Sequence, residues 1–218
     1  MLCFDASRRR WPLALAFNAI LGEMEFSSDA YHRALRFAAQ AHGEQRLPGT
    51  PLPYVVHLAG VAMEVMATAL ASSAAVAADG PPFPLQLAAT CALLHDTVED
   101  TEVPLAALER EFGPAVASIV SALSKDPRLP KEERMGDSLR RIAALPAELA
   151  RTAAIVKLAD RITNLQPPPA HWPGPKRAAY QAEARLILAQ LGPLCGWPPL
   201  AQRIGEKIEA YTAFLGGP

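Results

Sequence analysis

The sequence predicts an all-α protein, on three observations. Apolar residues recur at helical spacing in one segment after another, no stretch alternates Val, Ile and Thr for long enough to make a strand, and Pro and Gly clusters fall between the periodic segments. Half of the 218 residues are hydrophobic, enough to bury a substantial core, and no internal repeat is evident.

Taken in order, Ser27 or Ser28 caps a helix beginning at Asp29. Tyr31, Ala34, Leu35, Ala38 and Ala41 keep its period, His42 stands at its end and Gly43 stops it. GEQRLPGTPLP is a loop by its Gly and Pro content and presents Arg46. A second helix is expected over 54–78, with an apolar face of Val55, Val56, Leu58, Val61, Ala62, Val65 and Met66 and with His57 near its start. The Ala/Ser-rich residues 67–78 pack weakly and DGPPFP, 79–84, breaks the helix, so this stretch reads as an exposed excursion. A third helix covers 85–95. Pro104 opens another as its first-turn residue, and Phe112-Gly113-Pro114 breaks it into a helix over 115–123. KDPRLPKEERMGD shows no apolar period and reads as a charged loop, followed by helices over 137–144 and 146–165. QPPPAHWPGP, 166–175, cannot continue a helix, because proline lacks the backbone donor and clashes with the preceding turn. Helices over 176–191 and 200–215 complete the chain.

Charge narrows the function. With 21 basic and 22 acidic residues the net charge is −1, so no general basic field draws nucleic acid or an anionic membrane, and any anion must be held by a local site. Cys3, Cys91 and Cys195 are odd in number and lack CxxC spacing, which argues against a disulfide framework or a cysteine zinc site and for the reducing cytoplasm. Cys91, in an apolar helix, reads as core. Arg8, Arg9 and Arg10 before the apolar run 11–21 imitate an export signal, but Asn18 interrupts the run and it is too short to span a bilayer. Residues 1–26 are therefore expected to be an extension of the functional region 27–218.

The chemistry centres on LLHDTVEDT, 93–101. An apolar run leads into His95 and Asp96, with Glu99 and Asp100 one turn further on, and buried charge is costly unless it is paired or holds a metal. The other reading of this stretch is a helix end whose charges face water. Asp160 raises the same question inside IVKLADRITNL, 155–165, a strongly apolar helix. Lys157 at i−3 is within its reach, Asn164 at i+4 shares its face, and Arg161 points elsewhere, so a Lys157–Asp160 ion pair on a partly exposed edge is the alternative. Joined to His57, these residues form a set of two imidazoles and two carboxylates without sulfur, which suits manganese, iron or another divalent first-row ion. Such a cation activates water and polarises a phosphoryl oxygen, and Glu99 and Asp100 stand where they can orient that water and manage the leaving-group proton. The residues point to metal-assisted hydrolysis of a phosphoester or phosphoanhydride. Among the remaining polar residues, His42 reads as a helix-end histidine or one that supports a metal ligand, His32 as solvated, and His171 as structural or part of a loop that covers the pocket. Tyr54 staples the entry to the ligand helix or touches a nucleotide, and Lys157 and Arg161 either neutralise substrate phosphates or pair with carboxylates.

His57 in PYVVHLAGVA, His95-Asp96 in ALLHDTVEDT and Asp160 in VKLADRITNL resemble the H…HD…D pattern of HD-domain metal-dependent phosphohydrolases. Four co-linear segments, AAQAHGEQRLPGTPLPYVVH, LLHDTVEDT, FGPAVASIVSALSKD and KLADRITNL, resemble the hydrolase domain of the RelA/SpoT alarmone enzymes, and most of all the stand-alone small alarmone hydrolases. The resemblance covers about 29–166 and implies one HD-type helical bundle over 27–218, to which 176–215 add C-terminal helices. It implies removal of the 3′-pyrophosphate from guanosine tetra- or pentaphosphate with one manganese ion, held by His57, His95, Asp96 and Asp160, while Glu99 and Asp100 handle the attacking water. It further implies that Arg46 stacks on or borders the guanine and that Asn164 contacts the nucleotide. Leu47 stands where the long enzymes carry a basic residue, Thr163 replaces a histidine, and the loop from Arg46 to His57 is about two residues longer, changes that touch no metal ligand. The competing readings are an HD phosphatase acting on a nucleoside monophosphate or on the 2′-phosphate of NADPH, and a nucleotide sensor without turnover.

Overall fold

The computed structural model describes residues 26–75 and 83–215, and among them no strand forms. The helices are α1 (Ser28–His42), α2 (Val55–Ala75), α3 (Leu85–Leu94), α4 (Thr97–Asp100), α5 (Leu105–Phe112), α6 (Pro114–Leu123), α7 (Lys131–Ala143), α8 (Ala147–Asn164), α9 (Gly174–Cys195) and α10 (Pro198–Tyr211), followed by a 3-10 turn at Thr212–Phe214. No helix among the described residues is long and apolar enough to cross a membrane. The expected extension, including Arg8, Arg9, Arg10 and the apolar run 11–21, lies outside the described residues except for Phe26.

Helix α8 is the axis of the bundle. Every residue from Thr152 to Ile162 is buried, as expected of a helix that neighbours surround, and α2, α3, α6, α9 and α10 all pack against it. Helices α2 and α3 lie together beside it, and Leu58, Val61, Ala62 and Val65 of α2 meet Ala88, Cys91, Ala92 and the leucines of α3 in one core. At its start α1 is capped by the Ser27 side chain, which accepts from the Ala30 N–H at 3.2 Å. At its end Gly43 adopts φ 48°, a conformation that a β-carbon resists. The following loop is tied closed by Leu47 N–H to the Leu52 carbonyl and Tyr54 N–H to the Gln45 carbonyl, both 2.9 Å, which fixes where α2 begins.

Four expectations need correction. The charged stretch is a loop only as far as Pro130. Helix α7 starts at Lys131, its buried Met135, Ser138, Leu139 and Ile142 supplying the i, i+3, i+4, i+7 period that the surrounding charges obscure. Val56 belongs to the exposed side of α2, at 44% exposure, because the inward arc is already filled by Leu58, Val61, Ala62 and Val65. Phe83 is buried against Trp197, ring centroids 5.0 Å apart, so the excursion is anchored before α3, while 76–82 lie outside the described residues. Helix α9 runs through Gly192-Pro193 to Cys195, since burial of Leu191, Cys195 and Trp197 outweighs the local stop signal, and Gly196 ends it at φ 67°.

Candidate metal centre

Three helices bring His57, His95, Asp96 and Asp160 together. His57 sits in the first turn of α2, His95 and Asp96 form the bend between α3 and α4, and Asp160 occupies the last full turn of α8. Donor atoms of His57, His95 and Asp96 all lie within 4.8 Å of one another. Asp160 joins them through the imidazoles, its Oδ1 standing 3.4 Å from His57 Nε2 and 3.7 Å from His95 Nε2. Asp96 Oδ2 is 3.6 Å from His57 Nε2 and 3.0 Å from His95 Nε2.

The arrangement fits a cation. Nδ1 of His95 lies 2.8 Å from the Ala92 carbonyl and must donate to it, which leaves the lone pair of a neutral ring on Nε2. That Nε2 is buried and makes no well-aligned hydrogen bond although two carboxylates face it. Without a metal a proton takes the place: burial pulls the His95 pKa down, but Asp96 and Asp160 override it and push it up to about 10. Burial acts to raise both carboxyls, yet Asp96 is held below the usual range by His95, and Asp160 well below it by Lys157 and the two imidazoles.

Neighbouring side chains hold the carboxylates in place. The Tyr54 hydroxyl donates to Asp96 Oδ2 at 2.6 Å, and burial together with Asp96 keeps that phenol protonated far into the alkaline range. Lys157 donates to Asp160 Oδ2 at 3.2 Å and Asn164 to Asp160 Oδ1. The ring of His42 stacks on Tyr54 with centroids 4.8 Å apart, and its Nδ1 meets Gln45 Oε1 at 2.7 Å. Gln45 in turn donates to Asp100 Oδ2 at 3.4 Å. The Asp100 carboxyl is raised from its ordinary pKa, through burial and then Asp96 and Glu99, against the opposing pull of Gln45 and His42. Glu99 accepts from Lys125.

A pocket of about 630 Å3 opens beside the centre, reached by His57, Thr163 and Asn164 and walled by residues 47–50 and the proline-rich 166–172. Trp172, Tyr180 and Tyr211 also line it, and neither Lys nor Arg is among its walls. Arg46 is exposed near this loop and pairs with Glu44 at 3.2 Å. Of the two fates that sequence reasoning offered for Lys157 and Arg161, phosphate contact or pairing with carboxylates, the structure shows the pairing: Lys157 is buried on Asp160, and Arg161 on Glu183 and over the Tyr180 ring, 4.6 Å from its centroid. The same reasoning missed Gln45, Lys125 and the aromatic wall. None of them carries a spacing signal, since each meets the site only through the fold.

Comparison with known proteins places the chain. Residues 34–196 match the HD domain family. Over 143 residues the chain is 36% identical to the Xenopus tropicalis protein named guanosine-3′,5′-bis(diphosphate) 3′-pyrophosphohydrolase MESH1, covering 64% of this chain and 71% of that one. It is 29% identical to the Drosophila melanogaster protein of the same name over 171 residues, 76% of this chain and 87% of that one. An Aquifex aeolicus guanosine-3′,5′-bis(diphosphate) 3′-pyrophosphohydrolase is 28% identical over 139 residues, 64% of this chain, and there the match spans only 18% of the relative's length. The solved structure titled "A metazoan ortholog of SpoT hydrolyzes ppGpp and plays a role in starvation responses" superposes with a TM-score of 0.67 at 27% identity, over 85% of this chain and 97% of that one.

Proposed function

Because this chain belongs to the HD-domain family, we propose that it hydrolyses the 3′-pyrophosphate of guanosine tetra- or pentaphosphate to give pyrophosphate and GDP or GTP, with one manganese ion held by His57, His95, Asp96 and Asp160. What carries this reading is the convergence of two imidazoles and two carboxylates, with contacts of 3.0 to 3.7 Å, beside a pocket large enough for a nucleoside. The names of the relatives supply the substrate.

A divalent cation bound there polarises a phosphoryl oxygen and makes water a competent nucleophile near neutral pH. In the net reaction the water oxygen bonds to the phosphorus on the 3′-oxygen, that P–O bond breaks, and the 3′-oxygen takes a proton. Asp100 and Glu99 stand one helical turn beyond Asp96 and serve as the groups that orient the water and move its proton, the raised pKa of Asp100 suiting it to accept one. The neutral aromatic pocket takes the nucleoside, Asn164 contacts it, and Arg46 borders the base from the loop rim. Tyr54, in this reading, holds Asp96 instead of touching the nucleotide. The reducing cytoplasm expected from the cysteines is where such a nucleotide would be met.

Incubating manganese-loaded protein with guanosine tetraphosphate, guanosine monophosphate and NADPH, with chromatography of the products, tests the assignment. The expected products are GDP and pyrophosphate from the tetraphosphate alone. Orthophosphate release from either of the other two at a higher kcat/KM overturns it.

A further inference from the structure

Glu99 is gripped at both oxygens by one residue. Its Oε1 accepts from the Lys125 ammonium at 2.9 Å and its Oε2 from the Lys125 backbone N–H at 2.8 Å. Lys125 follows the last turn of α6, and that helix end is fastened by α7. Ser138 Oγ donates to the carbonyls of Ala122 at 2.8 Å and Leu123 at 3.2 Å, while the Arg141 guanidinium donates to those of Ser121 and Ser124. These carbonyls have no partner within α6, so α7 supplies both their hydrogen bonds and the rigidity of the point from which Lys125 projects.

Lys157 and Arg161, the cations in the half of α8 that carries Asp160, are closed to a ligand, their side chains being 6% and 5% exposed, whereas that of Lys125 is 37% exposed. Lys125 also lies in the field of the metal-binding carboxylates. Burial lowers its pKa, but Glu99, then Asp96 and Asp160, raise it above the usual lysine value, so it is an ammonium at any working pH. A bis-diphosphate brings far more negative charge than one divalent cation neutralises, and the nucleoside pocket has no Lys or Arg in its walls. We propose that Lys125 is a substrate-contacting residue whose ammonium binds the non-bridging oxygens of the pyrophosphoryl group transferred to water, while its backbone N–H keeps Glu99 in place. This inference rests on the hydrolase reading above.

The test compares K125M, K125Q and K125R with the wild type, because each keeps the backbone donor to Glu99 and only K125R keeps the charge. Turnover of guanosine tetraphosphate is measured with manganese, together with inhibition by inorganic pyrophosphate, added with excess magnesium, and by GDP. K125M and K125Q should weaken pyrophosphate inhibition by about tenfold or more and lower kcat/KM at least as much, as loss of a charge-assisted contact to phosphate oxygens requires. Inhibition by GDP should stay within about twofold and K125R should recover most of the pyrophosphate affinity. A fall in kcat with unchanged pyrophosphate inhibition would make Lys125 only a prop for Glu99 and overturn the proposal. Should the wild type leave the tetraphosphate intact, the hydrolase reading fails by itself, and calorimetric titration of manganese-loaded wild type and K125M with pyrophosphate still decides: equal or absent binding overturns the role of Lys125, and weaker binding to K125M upholds it.

Discussion

At the level of single residues, the centre is a problem of unpaired charge. His95 Nε2, with its proton-bearing Nδ1 committed to Ala92, faces Asp96 and Asp160 and needs a cation or a proton between them. Removing that ring should abolish metal retention and turnover together, so His95→Ala protein, purified and assayed for bound manganese, should emerge empty and inactive. A variant that retains both would remove His95 from the ligand set. Tyr54→Phe asks a finer question, since it deletes only the hydroxyl that holds Asp96 at 2.6 Å. Loss of such a support lowers metal affinity by roughly 10- to 100-fold. The expected result is a correspondingly raised manganese Kd in a variant that folds normally, and an unchanged Kd would show that Asp96 needs no hydroxyl to orient it.

At the level of elements, α8 links stability to the site. It carries Asp160 and Asn164 at one end and is enclosed along most of its length, so a cavity there loosens the scaffold of a ligand. Leu158 is fully buried, and Leu158→Ala should destabilise by about 2–5 kcal/mol. Leu186 on α9 is 44% exposed, and its replacement by Ala should stay within about 0.5 kcal/mol. Urea titrations of the two variants check this, and equal losses would mean that α8 is not the axis described. The elements also show why α7 was misjudged. Its apolar positions are present, yet seven charged residues from Lys131 to Arg141 surround them, and the loop reading followed local polarity over period.

For the whole molecule, the coupled titration of the centre sets a pH signature. The His95 imidazole has a folded pKa of about 10, above its unfolded value of about 6.5, so its stabilising contribution is complete below the unfolded value and fades as pH rises through about 10. Asp96 and Asp160 are held low, so theirs is present above about pH 3.9 and is lost as pH falls through the lower folded values. Metal-stripped protein should therefore be most stable between about pH 4 and 6.5 and lose Tm towards pH 10, and manganese-loaded protein should not show the alkaline loss, because a bound cation replaces the proton. Tm measured across this range with chelator and with manganese checks the sign. Parallel curves would mean that the cation does not bind at His95.

The sequence by itself determined the helical class, most helix boundaries marked by Ser27, Gly43, Pro104, Gly113 and Pro146, and the residue types of the candidate centre, because period, caps and a polar cluster after an apolar run are local properties. It could not decide which partner each buried charge finds. Only the tertiary structure brought Arg161 to Glu183, joined Gln45 to Asp100, and carried Lys125 across 26 positions to Glu99. Those pairings depend on how helices distant in the chain pack, and side-chain spacing along a single helix carries no information about them.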